Sequence, residues 1–138
     1  MSAPIVDVLR DASAPFSHGY TYSGHPAAAA AGLANLSIFA REGLVERADR
    51  TGQRLQREPR ARFAGHPRLR DVRGVGLIAA LEPRDPEDAK RWQALLLGDG
   101  VITRAVAGAV ALSPPLTLAE DELDELVAAL QRALEKLP

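Results

Sequence analysis

Between Phe16 and Pro26 lie two tyrosines, a threonine, two serines, two histidines and two glycines, eleven residues that run straight into five consecutive alanines. Pro26 suits the first turn of a helix, where a missing N–H costs nothing. Gly19 and Gly24 let the chain turn sharply and let backbone approach a ligand. The start of the helix would present unpaired N–H groups and a partial positive charge, which favour an anion such as phosphate. Thr21 adds a hydroxyl donor, and Tyr20 and Tyr22 can wall a flat ligand. The same residues equally suit a loop that packs its tyrosines on a core and caps a helix.

Few other groups in the chain could do chemistry. Of 17 basic residues only Lys90 and Lys136 are lysines, and the rest are arginine. Arg104 stands in a short apolar strand pattern, Val101 to Ala105. A guanidinium there offers a planar, permanently charged fork to a carboxylate, or it serves as one half of a surface ion pair. Gly100 and Gly108 bracket that strand and leave its end mobile. His18, His25 and His66 have no helical ligand spacing and no cysteine partner, so no metal site is expected. Ten arginines face five acids between Arg41 and Arg73. That is either a solvated helix face or a track for nucleic-acid phosphates.

The elements that must position these groups follow from period and punctuation. Residues 2–12 read as a short helix, with Ser2 as cap, Pro4 in the first turn and Ile5, Val8 and Leu9 on one face, ended by Ser13 to Pro15. A second helix spans about 26–41 and breaks at Gly43. A third runs from about 44 to 57, with Leu44, Val45, Ala48 and Leu55 as its inner stripe. Pro59 should stop it, since an interior proline costs roughly 3 kcal/mol. Leu69 to Glu82 is strand material in two pieces, with Gly74 and Gly76 marking a bulge or bend. A short charged-start helix reaches about Leu97. Val101 to Ala105 and Ala109 to Ser113 flank Gly108 as a hairpin, and Pro114-Pro115 ends the ladder. Thr117 and Glu120 form a capping box for a last amphipathic helix carrying Leu123, Leu126, Val127, Leu130 and Leu134. The order of elements predicts an α+β fold with helices on one face of a small antiparallel sheet.

Four stretches carry a family resemblance. His18-Gly-Tyr-Thr-Tyr-Ser-Gly-His-Pro26 resembles the HG-[FY]-TYSGHP signature of class-III aminotransferases, pyridoxal-phosphate (PLP) enzymes of fold type I, and is closest to the omega-transaminase branch that includes beta-amino-acid:pyruvate enzymes. Asp71-Val-Arg-Gly-Val-Gly-Leu77, Gly100-Val-Ile-Thr-Arg104 and Ser113-Pro-Pro-Leu116 resemble the family's later D-V-R-G-x-G-L, G-[VL]-I-x-R and A-P-P-L segments, in the right order.

The resemblance implies residue roles. Thr21 would bind the PLP phosphate of a neighbouring subunit across a dimer interface. Tyr20 would line that subunit's substrate pocket, and Arg104 would grip the substrate carboxylate. It also implies a division into residues 1–25 (the edge of a large domain, carrying the loop), 26–57 (connecting helices) and 58–138 (a C-terminal small domain). The family's cofactor-bearing lysine, its acid partner, its glycine-rich phosphate cradle and its ring-stacking aromatic all precede the TYSGHP stretch. No counterpart of them stands in these 138 residues, and neither Lys90 nor Lys136 has the right setting. The expectation is the C-terminal portion of an aminotransferase, inactive alone, with no catalytic residue of its own. Two alternatives are an interaction module that completes a separately encoded N-terminal portion, and a basic helix that binds nucleic acid.

Composition narrows the field further. The chain is 46% apolar, contains no cysteine and carries a net charge of −1. It therefore has no disulfide framework, no thiolate metal site and no global field drawing it to polyanions. Its first residues lack the basic and apolar regions of a secretory leader, and no run reaches the length of a membrane span. A cytoplasmic protein is the default expectation.

Overall fold

The computed structural model describes residues 3–11 and 16–138; the expected roles of Ser2, Ser13 and Pro15 lie outside the described residues. The chain divides into two units, Met1–Ser37 and Ile38–Pro138.

The first unit contains α1 (Ala3–Arg10), the Gly-rich loop and most of α2 (Pro26–Glu42). Neither helix buries a single residue. The alanine run supplies the helix propensity of α2. His25 caps it in place of a hydroxyl residue, its Nδ1 accepting the Ala28 N–H at 3.3 Å. At the far end Gly43 adopts φ 56°, the left-handed conformation that ends a helix at little steric cost and starts α3 (Leu44–Arg62) directly afterwards.

The second unit holds the core. Its sheet is antiparallel throughout, in the order β1-β2-β4-β3, from β1 (Leu69–Val75), β2 (Ile78–Pro83), β3 (Arg104–Val106) and β4 (Ala109–Leu112). Along β2, Ala79, Leu81 and Pro83 are buried while the residues between them are not, the alternation of a sheet covered on one face. α3 and α4 (Asp88–Gly98) pack on the sheet, and α5 (Glu120–Glu135) packs on both of those helices. Leu55, Leu81, Trp92, Leu96, Val110, Leu123 and Leu130 are fully enclosed between these layers. Trp92 Nε1 donates to the Leu130 carbonyl at 3.2 Å, so the one polar atom of the largest core side chain is satisfied. The expected α+β architecture is the one observed.

Several local expectations need correction. Pro59 does not stop α3, which continues to Arg62 with Pro59 inside it. The proline ring is itself buried, and the Phe63 N–H bonds the Pro59 carbonyl at 2.9 Å. Core packing outweighs the one hydrogen bond a proline removes. Val45, placed on the inner stripe by spacing, is 65% exposed; Thr51, Gly52 and Pro59 take the inner positions instead. Gly52 is required there, because a Cβ would lie 2.5 Å from the Gly76 carbonyl carbon. The bend expected at Gly74 and Gly76 is the reversal between β1 and β2, with Gly76 in the turn and Gly74 still within β1; the bulge-like slip in register lies instead between Leu69 and Asp71. Finally, α5 begins three residues after Thr117. Its cap position is Ala119, which has no side-chain acceptor, so only half a capping box forms: Glu122 accepts the Ala119 N–H at 2.7 Å.

Candidate functional site

The loop in the first unit is a chain of aromatic edges and free hydroxyls. The rings of Phe16 and His18 lie 5.7 Å apart, and those of His18 and Tyr20 lie 5.3 Å apart, edge to face. Ser23 holds the turn: its Oγ accepts the Tyr20 N–H at 3.2 Å, and its own N–H bonds the Tyr20 carbonyl at 3.0 Å. Gly24 completes the reversal at φ 73°. Tyr20 and Tyr22 are 75% and 80% exposed, so in this chain they do not pack on a core. Thr21 is exposed between them and, among the described residues, its hydroxyl has no hydrogen-bond partner. Because His25 already takes the Ala28 N–H, α2 offers an incoming anion one donor fewer than an uncapped helix would.

Arg104 belongs to the second unit. It opens the edge strand β3, opposite Ala111 of β4. It is exposed, and among the described residues no carboxylate lies within ion-pair distance of it, so the surface ion pair is not formed. Its side chain borders a cleft of 620 Å³ walled by Ile102, Thr103, Ser113, Pro114 and Glu122. Thr103 is buried, and its Oγ1 is the one enclosed side-chain polar atom without a partner among the described residues. At the rim, Asp99 accepts hydrogen bonds from Arg132 at 3.2 Å and Lys136 at 3.5 Å. The Arg132 bond, helped by Lys136, holds the Asp99 carboxyl below its ordinary range. The backbone beside Arg104, which Gly100 and Gly108 bracket, has partners on its outer side. Gln93 of α4 binds the peptide groups on both sides of it, donating to the Thr103 carbonyl at 3.0 Å and accepting the Ala105 N–H at 3.3 Å. Nothing in the sequence pattern singles out this glutamine, since a polar residue on a short helix reads as solvated.

Arg47, Arg54, Arg60 and Arg62 of α3, and Arg70 and Arg73 of β1, have internal partners. Arg47 donates to the carbonyls of Thr117 and Leu118, both at 2.8 Å, and Arg60 donates to the Val72 carbonyl at 2.7 Å. Arg54 binds Glu58 and Asp124, each at 2.7 Å, and those two bonds raise its already high pKa. Arg70 and Arg73 both pair with Glu82. The basic cluster ties α3 to α5 and β1 to β2, which is the use of arginine an internal scaffold makes. Among the described residues no group of three or more His, Asp or Glu could hold a metal ion, and no helix is long and apolar enough to cross a membrane.

Residues 5–134 match the family described as Aminotransferase class-III. The chain belongs to the class-III aminotransferases. A diaminobutyrate–2-oxoglutarate transaminase of Halomonas elongata is 43% identical over 136 residues, covering 89% of this chain and 29% of the relative. A putrescine–pyruvate aminotransferase of Pseudomonas aeruginosa is 35% identical, covering 96% and 31%. Among solved structures, a transaminase from ancestral reconstruction superposes with a TM-score of 0.88 at 37% identity, covering 97% of this chain and 33% of that one. An (S)-enantioselective omega-transaminase from Thermomicrobium roseum gives 0.86 at 34%, covering 97% and 32%. This class-III aminotransferase region therefore spans about a third of the length of the relatives it matches. The match extends over nearly the whole of this chain.

Proposed function

We propose that this chain supplies the substrate-carboxylate grip and one phosphate contact of a class-III aminotransferase, moving an amino group from an amine or amino acid to a keto acid such as pyruvate, and that it does so only together with the remainder of such an enzyme. The observation that carries this reading is Arg104: an exposed guanidinium on a paired strand, beside a cleft, with no carboxylate among the described residues to neutralise it. PLP, when bound, supplies the electron sink that makes amino-group transfer possible. The residues present fit one edge of its site and not the whole. The Thr21 hydroxyl, exposed and without a partner among the described residues, suits a phosphate oxygen, and Tyr20 beside it suits the wall of a substrate pocket. Neither lysine stands where the family's cofactor-bearing lysine does, since that residue precedes the TYSGHP stretch and Lys90 and Lys136 follow it. In this reading residues 1–25 are the edge of the large domain, 26–57 the connection and 58–138 the small domain, and Thr21 acts across a dimer interface.

The chain's own chemistry is then recognition. A carboxylate substrate draws in Arg104 and forms two charge-assisted hydrogen bonds. An uncharged amine requires the guanidinium to swing out, because a desolvated, unpaired charge is costly. The test grafts residues 1–138 onto a full-length relative and compares kcat/KM for pyruvate and for an acceptor without a carboxylate. Each charged hydrogen bond is worth about 1.5–3 kcal/mol, so Arg104→Ala should cost on the order of a hundredfold or more with pyruvate alone. Thr21→Ala should instead weaken PLP retention for every substrate alike. Equal losses with both acceptors in Arg104→Ala would show the arginine to be structural. The ungrafted chain with PLP should transfer no amino group.

A second reading rests on α2. Leu33 and Leu36 of α2 are 67% and 65% exposed in a helix that is apolar on most sides, the surface of a helix made to be enclosed. Its occupant in this reading is the N-terminal portion of an aminotransferase, encoded separately. Co-expression with that portion should yield a single complex on light scattering. A chain that remains monomeric beside it would exclude the interaction.

A further inference from the structure

We propose that Gln93 is a positioning residue for Arg104, holding the arginine's peptide rigid so that only its side chain moves between substrates. The inference rests on the substrate-gripping role of Arg104 proposed above and adds the group that makes the grip selective.

β3 is the outer strand of the sheet, so the groups on its far side have no neighbouring strand to pair with. On such an edge the carbonyl of one residue and the N–H of the residue two further on point the same way. Here they belong to Thr103 and Ala105, which straddle Arg104. The Gln93 carboxamide meets both, its Nε2 donating to the Thr103 carbonyl at 3.0 Å and its Oε1 accepting the Ala105 N–H at 3.3 Å. One side chain thus imitates one residue of a missing strand. The other side of Arg104 faces β4, in register with Ala111. The peptide of Arg104 is therefore restrained from both directions.

Gln93 is itself well anchored. It follows Trp92, which is fully enclosed, and α4 also buries Ala89 and Leu96 against the core. The carboxamide is half-buried, where a hydrogen bond is less exposed to competition from water. Carbon or carboxylate at that position would lose one or both bonds. The Arg104 side chain, in contrast, has no hydrogen-bond or ion-pair partner among the described residues. The result is a free side chain on a fixed base. Less conformational entropy is then lost when the guanidinium closes on a carboxylate, and a fixed Cα keeps its two oxygens within reach of the fork.

The test uses Gln93→Met, which keeps the length and packing of the side chain and removes both hydrogen-bonding groups. In the 138-residue chain, the Ala105 amide should exchange with solvent on the order of tenfold faster, while the Val110 amide on β4 should be unaffected. In the graft onto a full-length relative, kcat/KM for pyruvate should fall on the order of tenfold, chiefly through KM, with the uncharged acceptor unchanged. Arg104→Ala is measured alongside. If Arg104→Ala abolishes the pyruvate preference and Gln93→Met leaves it intact, Gln93 does not position the arginine and the inference is overturned while the grip stands. If Arg104→Ala leaves the preference untouched, the grip itself is wrong and the inference falls with it. Equal losses with both acceptors in Gln93→Met would reduce the glutamine to a general stabiliser. Should Gln93→Met fail to fold, the unaltered chain still decides: an Ala105 amide that exchanges as fast as an open edge amide overturns the clamp.

Discussion

α2 and α5 are nearly the same length, 17 and 16 residues, and use their sequences in opposite ways. α2 is the more apolar, with five consecutive alanines and Leu33, Leu36, Ile38 and Phe39, yet it buries nothing. α5 carries six acidic residues and buries Leu123, Val127, Ala129, Leu130, Ala133 and Leu134. Apolar content alone does not produce burial. α5 sets its leucines at intervals of three and four, so they form one stripe against α3 and α4. The apolar side chains of α2 go round its axis and need cover on several sides. Full burial of a leucine is worth about 1.5–3 kcal/mol, a contribution α5 realises and α2 does not.

The sharpest test of that contrast pairs one substitution from each region. Trp92→Ala removes the largest enclosed side chain and should destabilise the second unit by about 3–5 kcal/mol in urea unfolding followed by circular dichroism. Leu36→Ala in the chain alone should change stability by less than about 0.5 kcal/mol. A comparable loss in both would mean that α2 is covered in solution, and the contrast would disappear.

Glycines extend the comparison. Gly52→Ala would put a methyl group 2.5 Å from the Gly76 backbone and should cost about 1–3 kcal/mol. Gly32 of α2 has open space where a Cβ would stand, so Gly32→Ala should gain up to about 1 kcal/mol of helix stability, read as increased helical signal on heating.

Two smaller effects lie within the second unit. Ala107 sits at φ 49° beside Gly108 at φ 77°, the paired positive φ values of a two-residue hairpin turn. Ala107→Asn should raise stability by roughly 0.5–1 kcal/mol, because asparagine tolerates that backbone better than alanine does. A loss would show that the turn relaxes in solution. The smallest effect is pH-dependent. Arg132, with Lys136, lowers the folded-state pKa of Asp99 below the unfolded value of about 3.9. The contribution is therefore full above that unfolded value and is lost as pH falls through the lower folded one. Asp99→Asn should flatten stability against pH only in that acidic window, measured by unfolding from pH 6 downward.

Much of the second unit was legible because its signals are local. Leu123 to Leu134 repeat with helical period, Gly108 marks the β3–β4 turn, and Pro114-Pro115 ends the ladder after Leu112. The stretch holding Tyr20 and Thr21, and the strand holding Arg104, were legible as a family pattern. Pro59 was misread because propensity counts the hydrogen bond a proline removes and not the core that encloses its ring. Val45 was misread because spacing assigns a face without knowing which face meets the sheet.

By itself, the sequence determined the α+β class, the element order, the class-III signature from His18 to Pro26 and the scarcity of lysine. All of these depend on residue type and on neighbours a few positions away. Tertiary structure alone decided that Gln93 reaches the peptides on both sides of Arg104, that Arg47, Arg54 and Arg60 of α3 are bound internally, and that Gly52 must lack a side chain where Gly76 approaches. Each of those joins residues 10 to 71 positions apart, and no local period or propensity encodes such a meeting, because it exists only once the layers have packed.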